Sequence, residues 1–268
     1  MPNENTANEG PKLPDDLIVI HPKGEFVAAG TTSFVERLPS GDIIKTPWAG
    51  DVREEDCRNE IAVEAQVYQR LGEHPRLVEL KGWDPVAHTL KLEYMPNGTL
   101  EEYVKSYHGQ IALAQRLRWI AQAAEGLHVL HSADVIHCDV GPHNFLLDAD
   151  MSLKIADFGG SSLNGSRAMV CPGIRYAAPD PDWKPGKPPT IKEDLFSLGS
   201  TIYYIVVGKA PFDELPDEEV EKKYLGGEFP DLAGVPCEEI IRLCWQQEAR
   251  SAQLIRELVD NLDFPADF

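Results

Sequence analysis

Short apolar runs broken by turn residues fill the first third of the chain. Residues 25–47, EFVAAGTTSFVERLPSGDIIKTP, combine β-branched and aromatic residues with the turn signals AGTT and PSGD, which predicts three strands. From about Glu54 to Leu71, apolar residues recur every three or four positions, so we predict a helix with one buried face. That face carries Ile61, Ala65, Tyr68 and Leu71. The segments RLVELKGW and TLKLEYM then predict two further strands.

After PNG, residues 96–98, the pattern becomes mainly helical. A long helix is predicted to end just before residue 137, and its buried face carries Leu113, Leu117, Ile120, Ala124, Leu127 and His131. NFLLDADMSLKIADFG is typical of a hairpin, and the stretch 160–192, rich in Gly, Pro and Ser, is expected to be irregular. Four more helices are predicted in EDLFSLGSTIYYIVVG, EEVEKKYLG, EEIIRLCWQQ and SAQLIRELVDNL.

This division indicates an α+β protein with two lobes. We predict a strand-rich lobe with one helix at residues 17–95 and a larger, mainly helical lobe at residues 96–268. The polar segment 1–16 has no basic region followed by an apolar one, so we interpret it as a disordered leader and not as a signal peptide.

The charge balance narrows the possible partners. Twenty-five basic and 44 acidic residues give a formal net charge of -19, which argues against nucleic acid or an anionic membrane surface. The longest apolar run, IYYIVVG, is far short of the ~20 residues of a membrane span. The five cysteines form no C-x-x-C pair, so we expect a reducing intracellular compartment, the cytoplasm. We also expect the protein to be a monomer.

Two pairs of polar residues suggest chemistry. Asp139 and Asn144 lie five positions apart in HCDVGPHNFLLD, an arrangement that suits a loop with a base and a metal ligand. Glu64 shares the buried face of the first predicted helix, where an unpaired carboxylate is costly. Lys45, on a neighbouring strand, is its candidate partner, although both side chains could instead extend to water.

Other interpretations of HCDVGPHNFLLD have less support. His137, Cys138 and Asp139 could form a metal cluster or a Cys–His nucleophile pair, but adjacent side chains of an extended segment point to opposite faces. We therefore expect Cys138 to be an inert buried thiol. The spacing of His131, His137 and His143 fits no helical face, and we assign His131 and His143 no role.

Nearly the whole chain, from about residue 25 to 262, resembles the eukaryotic protein kinase family. The kinase motifs occur in order as AAGTTSFV, IIK, Glu64 in EAQVYQRL, HCDVGPHN, DFG and APD. DFG follows Asn144 by thirteen residues. LEYMPNGTL and CWQQ resemble the tyrosine-kinase-like group. The resemblance implies one bilobal kinase domain, about residues 17–263, with a five-stranded antiparallel sheet in its small lobe.

This resemblance implies a role for each matching residue. Asp139 would be the catalytic base, Asn144 and Asp157 would hold Mg²⁺, and Lys45, oriented by Glu64, would hold the ATP phosphates. The backbone of Glu93 to Met95 would bind adenine next to the gatekeeper Leu92. The implied nucleotide-binding residues are Ala28, Gly30, Ser33, Val35, Ile43, Lys45, Leu92, Glu93, Met95, Asn144, Leu146 and Asp157.

Further roles follow from the same resemblance. His137 would pack near Phe158, and Asp194 would anchor the catalytic loop. Arg250 would pair with Asp180.

Three positions depart from the family pattern. Cys138 replaces the Arg that receives an activation-loop phosphate, Gly141 replaces the loop Lys of Ser/Thr kinases, and Gly173 replaces the Thr that partners this Lys. We expect Gly141→Lys to preserve or raise activity, and Arg167 or Arg175 to be able to reach the γ-phosphate instead.

Three functions are compatible with these features. The first is a protein kinase that phosphorylates Ser or Thr in protein substrates. The second is a pseudokinase that binds nucleotide without phosphoryl transfer. The third is a small-molecule phosphotransferase, which RYAAPD and DLFSLG argue against because that family lacks such a peptide-binding platform.

Overall fold

The computed structural model describes residues 22–262, except positions 51, 183 and 185. The predicted leader, residues 1–16, lies outside the described residues, and so do residues 17–21 and 263–268. The predicted boundaries of the two lobes, 17–95 and 96–268, therefore stay predictions.

The first lobe is one antiparallel five-stranded sheet with a helix packed on it. The strand order is β1-β2-β3-β5-β4. The strands are β1 (Glu25–Ala29), β2 (Ser33–Arg37), β3 (Ile43–Pro47), β4 (Leu80–Asp84) and β5 (Thr89–Leu92). Helix α1 (Glu54–Leu71) packs against β3 and β5. It buries Ile61, Glu64, Ala65 and Tyr68, which confirms most of the predicted inward face, whereas Leu71 at the helix end is only half-buried.

The second lobe is mainly helical. Its helices are α2 (Leu100–Tyr107), α3 (Leu113–Ser132), α4 (Ile191–Val207), α5 (Asp217–Leu225), α6 (Glu238–Trp245) and α7 (Ala252–Asp260), with a 3₁₀ turn at His108–Gln110. Strands β7 (Phe145–Leu147) and β8 (Leu153–Ile155) form the predicted hairpin. The prediction of a bilobal α+β fold with a small sheet lobe and a larger helical lobe is confirmed.

Two elements were not predicted. The first is α2, whose N-cap Thr99 accepts a hydrogen bond at its side chain from the backbone N–H of Glu102, 3.1 Å away. Its sequence, TLEE, has the spacing of a capping box, so this signal was available. The second is the pair β6 (Val135–Ile136) and β9 (Ser162–Leu163). Strands of two residues are too short to show a period.

Helix α4 is the central helix of the second lobe. It begins with a capping box between Thr190 and Glu193 and packs against α3 and α6. A Cβ atom added at Gly199 would lie 2.5 Å from Cβ of Cys244, so α6 approaches α4 more closely than any larger residue allows. Next to this contact, Nε1 of the buried Trp245 donates to Oγ of Ser200 at 3.0 Å.

All five cysteines are free, and only Cys171 among them is exposed. Burial raises the pKa of Cys237 and of Cys244 to about 12. Within the described ranges, no helix has both the length and the apolar character needed to cross a bilayer.

We predict that Gly199→Ala destabilises the protein. Helix propensity alone would favour Ala by about 1 kcal/mol, but overpacking against Cys244 should cost about 1–3 kcal/mol. Urea unfolding measures the free energy of unfolding. The control is Gly109→Ala in the exposed 3₁₀ turn, where an added Cβ meets no atom within 4 Å and the change should stay within about 0.5 kcal/mol. Equal or higher stability of Gly199→Ala would contradict the packing argument.

Candidate active site

A cleft of about 450 Å³ lies between the sheet and the second lobe. All twelve residues predicted to contact a nucleotide line it: Ala28, Gly30, Ser33, Val35, Ile43, Lys45, Leu92, Glu93, Met95, Asn144, Leu146 and Asp157. Glu64 lines it as well. The lining also includes residues that the sequence did not single out, among them Val78, Thr99, Glu102 and His143.

Lys45 joins the two lobes at the back of this cleft. It lies in the middle of β3, paired with Val35 on one side and Leu90 on the other. Its Nζ donates to Oε2 of Glu64 at 2.7 Å and to Oδ1 of Asp157 at 2.6 Å. The predicted pair of Lys45 and Glu64 is therefore formed.

The charges of these three groups depend on one another. Burial disfavours the ammonium form of Lys45, but Asp157 and Glu64 more than offset this, so the pKa of Lys45 is raised. Lys45 in turn holds the pKa of Asp157 below its usual value. Burial raises the pKa of Glu64, and Lys45 opposes that rise. The Asp157 side chain is still 54% exposed, so it faces the open cleft.

Three rings in edge-to-face contact lie between α1 and the second lobe, next to this ion pair. The ring centroid of Phe158 lies 4.9 Å from that of Tyr68 on α1 and 5.6 Å from that of His137. His137 also places Nε2 3.0 Å from the carbonyl oxygen of Ala156. The expected packing of His137 against Phe158 is confirmed.

Asp194, in the first turn of α4, holds the loop that carries Asp139 through its buried carboxylate. It accepts hydrogen bonds from the backbone N–H groups of His137 at 2.8 Å and Cys138 at 2.9 Å. It also accepts one from Nε2 of His131 at 2.9 Å. The expectation that His131 has no role is therefore wrong. The bonds to the loop stabilise Cys138 at a φ of 69°, which is unfavourable for a residue other than glycine.

Cys138 itself is buried. Its thiol donates to the carbonyl oxygen of Ile136 at 3.3 Å. Burial, together with the charge of Asp194, raises its pKa to about 12. Such a thiol is a poor nucleophile and a poor metal ligand.

The carboxylate of Asp139 is held by its neighbours in the loop. One oxygen, Oδ2, accepts from Nδ2 of Asn144 at 3.0 Å, and Nε2 of His143 lies 3.2 Å away. Because a carboxylate only accepts, His143 must carry a proton on Nε2. The other oxygen, Oδ1, accepts no hydrogen bond within the described part of the chain. It therefore remains free to accept a hydrogen bond from a bound molecule.

His143 was not expected to take part in the site. Burial lowers the affinity of its ring for a second proton, but the hydrogen bond and the charge of Asp139 outweigh this and raise its pKa. The ring is 41% exposed and lines the cleft. Helical periodicity could not have predicted this role, because the partner of His143 is Asp139, four residues away in a loop.

The segment that joins the lobes offers a complementary edge for adenine. The carboxylate of Glu93 pairs with Lys154 and accepts the backbone N–H of Glu79 at 2.8 Å. The Glu93 carbonyl oxygen and the Met95 backbone N–H have no partner of their own among the described residues. One acceptor and one donor are left free, and the Watson–Crick edge of adenine has one donor and one acceptor to match them.

The substrate side differs from expectation at two arginines. Arg175 pairs with Asp217 and donates to the Phe212 and Leu215 carbonyl oxygens, so it is directed away from the cleft and cannot replace the missing loop Lys. The expected pair of Asp180 with Arg250 is not formed, because Asp180 pairs with Lys187 at 2.5 Å instead.

The donor atoms of the cleft fit Mg²⁺ bound together with phosphate. In the described ranges no three His, Cys, Asp or Glu residues are grouped to hold a metal ion by themselves. Asn144 donates through Nδ2, which leaves its amide oxygen for a cation, and Asp157 is exposed to the cleft. Mg²⁺ prefers one or two protein oxygens together with phosphate oxygens and water, so the residues present are suitable.

Comparison with known proteins is consistent with this geometry. The protein kinase domain family model matches residues 44–261. Serine/threonine-protein kinase 12 of Arabidopsis thaliana is 30% identical over 217 residues, which cover 75% of this chain and 46% of that protein. Tyrosine-protein kinase SPK-1 of Girardia tigrina is 29% identical over 225 residues, which cover 77% of this chain and 45% of that protein.

A third relative is matched along nearly its whole length. Aurora/IPL1-related protein kinase 2 of Caenorhabditis briggsae is 25% identical over 280 aligned positions, which cover 97% of this chain and 90% of that protein. The matches to the first two relatives, in contrast, span about half of their length. The family model covers well over half of the chain, and the chain therefore belongs to the protein kinase family.

Proposed function

We propose that the protein transfers the γ-phosphate of ATP to Ser or Thr hydroxyls of protein substrates. The observation that carries this proposal is the bonding of Lys45 to both Glu64 and Asp157, with Asp139 held by Asn144 nearby. The phosphate-binding side and the base are thus both assembled. We also propose membership of the tyrosine-kinase-like group, which LEYMPNGTL and CWQQ favour.

Each side chain has a separate task in this reaction. Lys45 neutralises charge on the α- and β-phosphates, and Glu64 keeps its ammonium directed into the cleft. Mg²⁺, when bound by Asn144 and Asp157, supplies charge neutralisation for the transferred phosphoryl group. Asp139 accepts the proton of the substrate hydroxyl at Oδ1, because Oδ2 is already engaged by loop donors.

Preference for Ser and Thr is supported by the absence of the AAR tyrosine-kinase loop signature and by the name of one relative. Another relative is named as a tyrosine kinase, so the substrate panel must include all three hydroxyl residues.

We predict that Mg-ATP stabilises the protein against heat. At a hundredfold excess over the dissociation constant, binding should add about 2.7 kcal/mol, which a thermal melt with and without Mg-ATP measures. Lys45→Ala should lose most of this shift. Lys91→Ala, on the exposed face of β5, should keep it. An unchanged melting temperature at millimolar Mg-ATP would refute nucleotide binding.

Asp139→Asn should lower phosphoryl transfer by at least about a hundredfold, because general base catalysis contributes about 10² to 10⁴ in rate. The assay follows γ-phosphate transfer to peptide libraries with Ser, Thr or Tyr and to small alcohols. Asp150→Asn, at an exposed turn carboxylate, is the matched control and should act like wild type. If wild type gives the same signal as Asp139→Asn with Mg²⁺ and with Mn²⁺, the protein is a pseudokinase.

Activity should not depend on phosphorylation of the activation segment. Cys138 cannot pair with a phosphate. The candidate phosphorylation sites in the segment after DFG are Ser161, Ser162 and Ser166, and the first two are buried. Their hydroxyls donate to the carbonyl oxygens of His137 at 3.3 Å and Ser166 at 2.5 Å. Phosphatase treatment should therefore leave the rate within about twofold, since no charge-assisted contact is lost. A fall of tenfold or more would contradict this prediction.

A further inference from the structure

The space above Gly141 is filled by the ring of His143. A Cβ atom at position 141 would lie 2.5 Å from Cε1 and 2.7 Å from Nδ1 of His143, closer than non-bonded atoms approach. The loop therefore has room for a side chain at residue 141 or for this position of the imidazole, but not for both. The expectation that Gly141→Lys is harmless is not compatible with this geometry.

The ring is also directed by its partner. His143 Nε2 donates to Asp139 Oδ2, the oxygen that also accepts from Asn144, and these two donors fix the rotation of the carboxylate. Rotation that moved Oδ1 from its place would break both bonds. The contact requires only a proton on Nε2, so it does not depend on whether the ring is charged.

Two other cationic groups near the cleft or the segment after DFG are already engaged. Arg175 is held by Asp217 on α5, and Lys45 is held by Glu64 and Asp157. His143, by contrast, lines the same cleft as Asn144 and Asp157 and touches the base.

We propose that His143 is a positioning residue that takes the place of the missing loop Lys, and that Gly141 is required because it makes room for the ring. The imidazole acts through Asp139 by holding its carboxylate with Oδ1 directed to the substrate hydroxyl. This inference rests on the proposed kinase activity. It links the departure at Gly141 to the imidazole that fills the space above it.

The test is a cycle of substitutions at residues 141 and 143 in the full chain. His143→Ala and Gly141→Lys should each lower kcat by about 10- to 100-fold, the range expected for loss of a charge-assisted hydrogen bond. The KM for ATP should change by less than about threefold, because the nucleotide contacts are untouched. Gly141→Lys with His143→Ala should return kcat to within about fivefold of wild type, since the Lys then has the space of the ring.

Three further variants separate the steric part from the hydrogen bond. Gly141→Ala adds only the clashing Cβ and should lower kcat on its own, whereas Gly141→Ala with His143→Ala should not recover activity. His143→Gln retains an N–H donor at the distance of Nε2 and should keep more activity than His143→Ala. Circular dichroism and thermal melts show which variants fold. If Gly141→Lys does not fold, Gly141→Ala and its double variant with His143→Ala take its place in the cycle.

The outcomes distinguish this inference from the proposed function. If wild type is faster than Asp139→Asn but the losses in kcat at residues 141 and 143 simply add in the double variant, only the role of His143 is overturned. Activity of His143→Ala equal to that of wild type would do the same. Wild type no faster than Asp139→Asn would overturn both the kinase activity and the role of His143.

Discussion

The ammonium group of Lys45, buried between two carboxylates from different lobes, is the interaction on which the rest of the site depends. Removing an ammonium and a carboxylate from water is costly, and the cost is repaid only while the geometry is good. A shift of α1 would withdraw Glu64, and a rotation of the Asp157 backbone would withdraw the second partner. Either movement leaves the buried ammonium of Lys45 with one carboxylate partner instead of two. The position of α1, the conformation of Asp157 and the closeness of the lobes are therefore one coupled state.

A second constraint fixes the loop that carries Asp139 onto helix α4. Helix α4 is fixed by close packing on α6 at Gly199 and by its capping box, and it delivers Asp194 to three donors from α3 and the loop. The strained backbone at Cys138 is tolerated because these hydrogen bonds determine it. The carboxylate of Asp139 is thus attached to the rigid part of the second lobe, although it lies on a loop. A side chain held in this way keeps one geometry, which the proposed role as a base would require.

Much of the fold and of the nucleotide cleft could be predicted from sequence, because both depend on local patterns. Amphipathic periods located α1, α3 and α4, and ordered motifs located Lys45, Glu64 and Asp157. Contacts between distant or irregular segments could not be predicted in this way. The hydrogen bond from His131 to Asp194 joins two helices that are distant in the sequence. Asp180 pairs with the nearby Lys187 and not with Arg250. The contact of His143 could not be predicted because the ring fills the space left by the missing side chain of Gly141. A missing side chain gives no pattern that a sequence can show.

The accessibility of the cysteines has a practical consequence for observing the protein in motion. Four thiols are buried, and Cys171, the exposed one, lies in the irregular segment that follows the DFG motif. Thiol reagents react with an accessible thiolate, so a maleimide dye should attach at this position in the unaltered sequence. The chain thus carries a natural attachment point for a fluorophore. Movements of this irregular segment could be followed in real time without engineering a new cysteine.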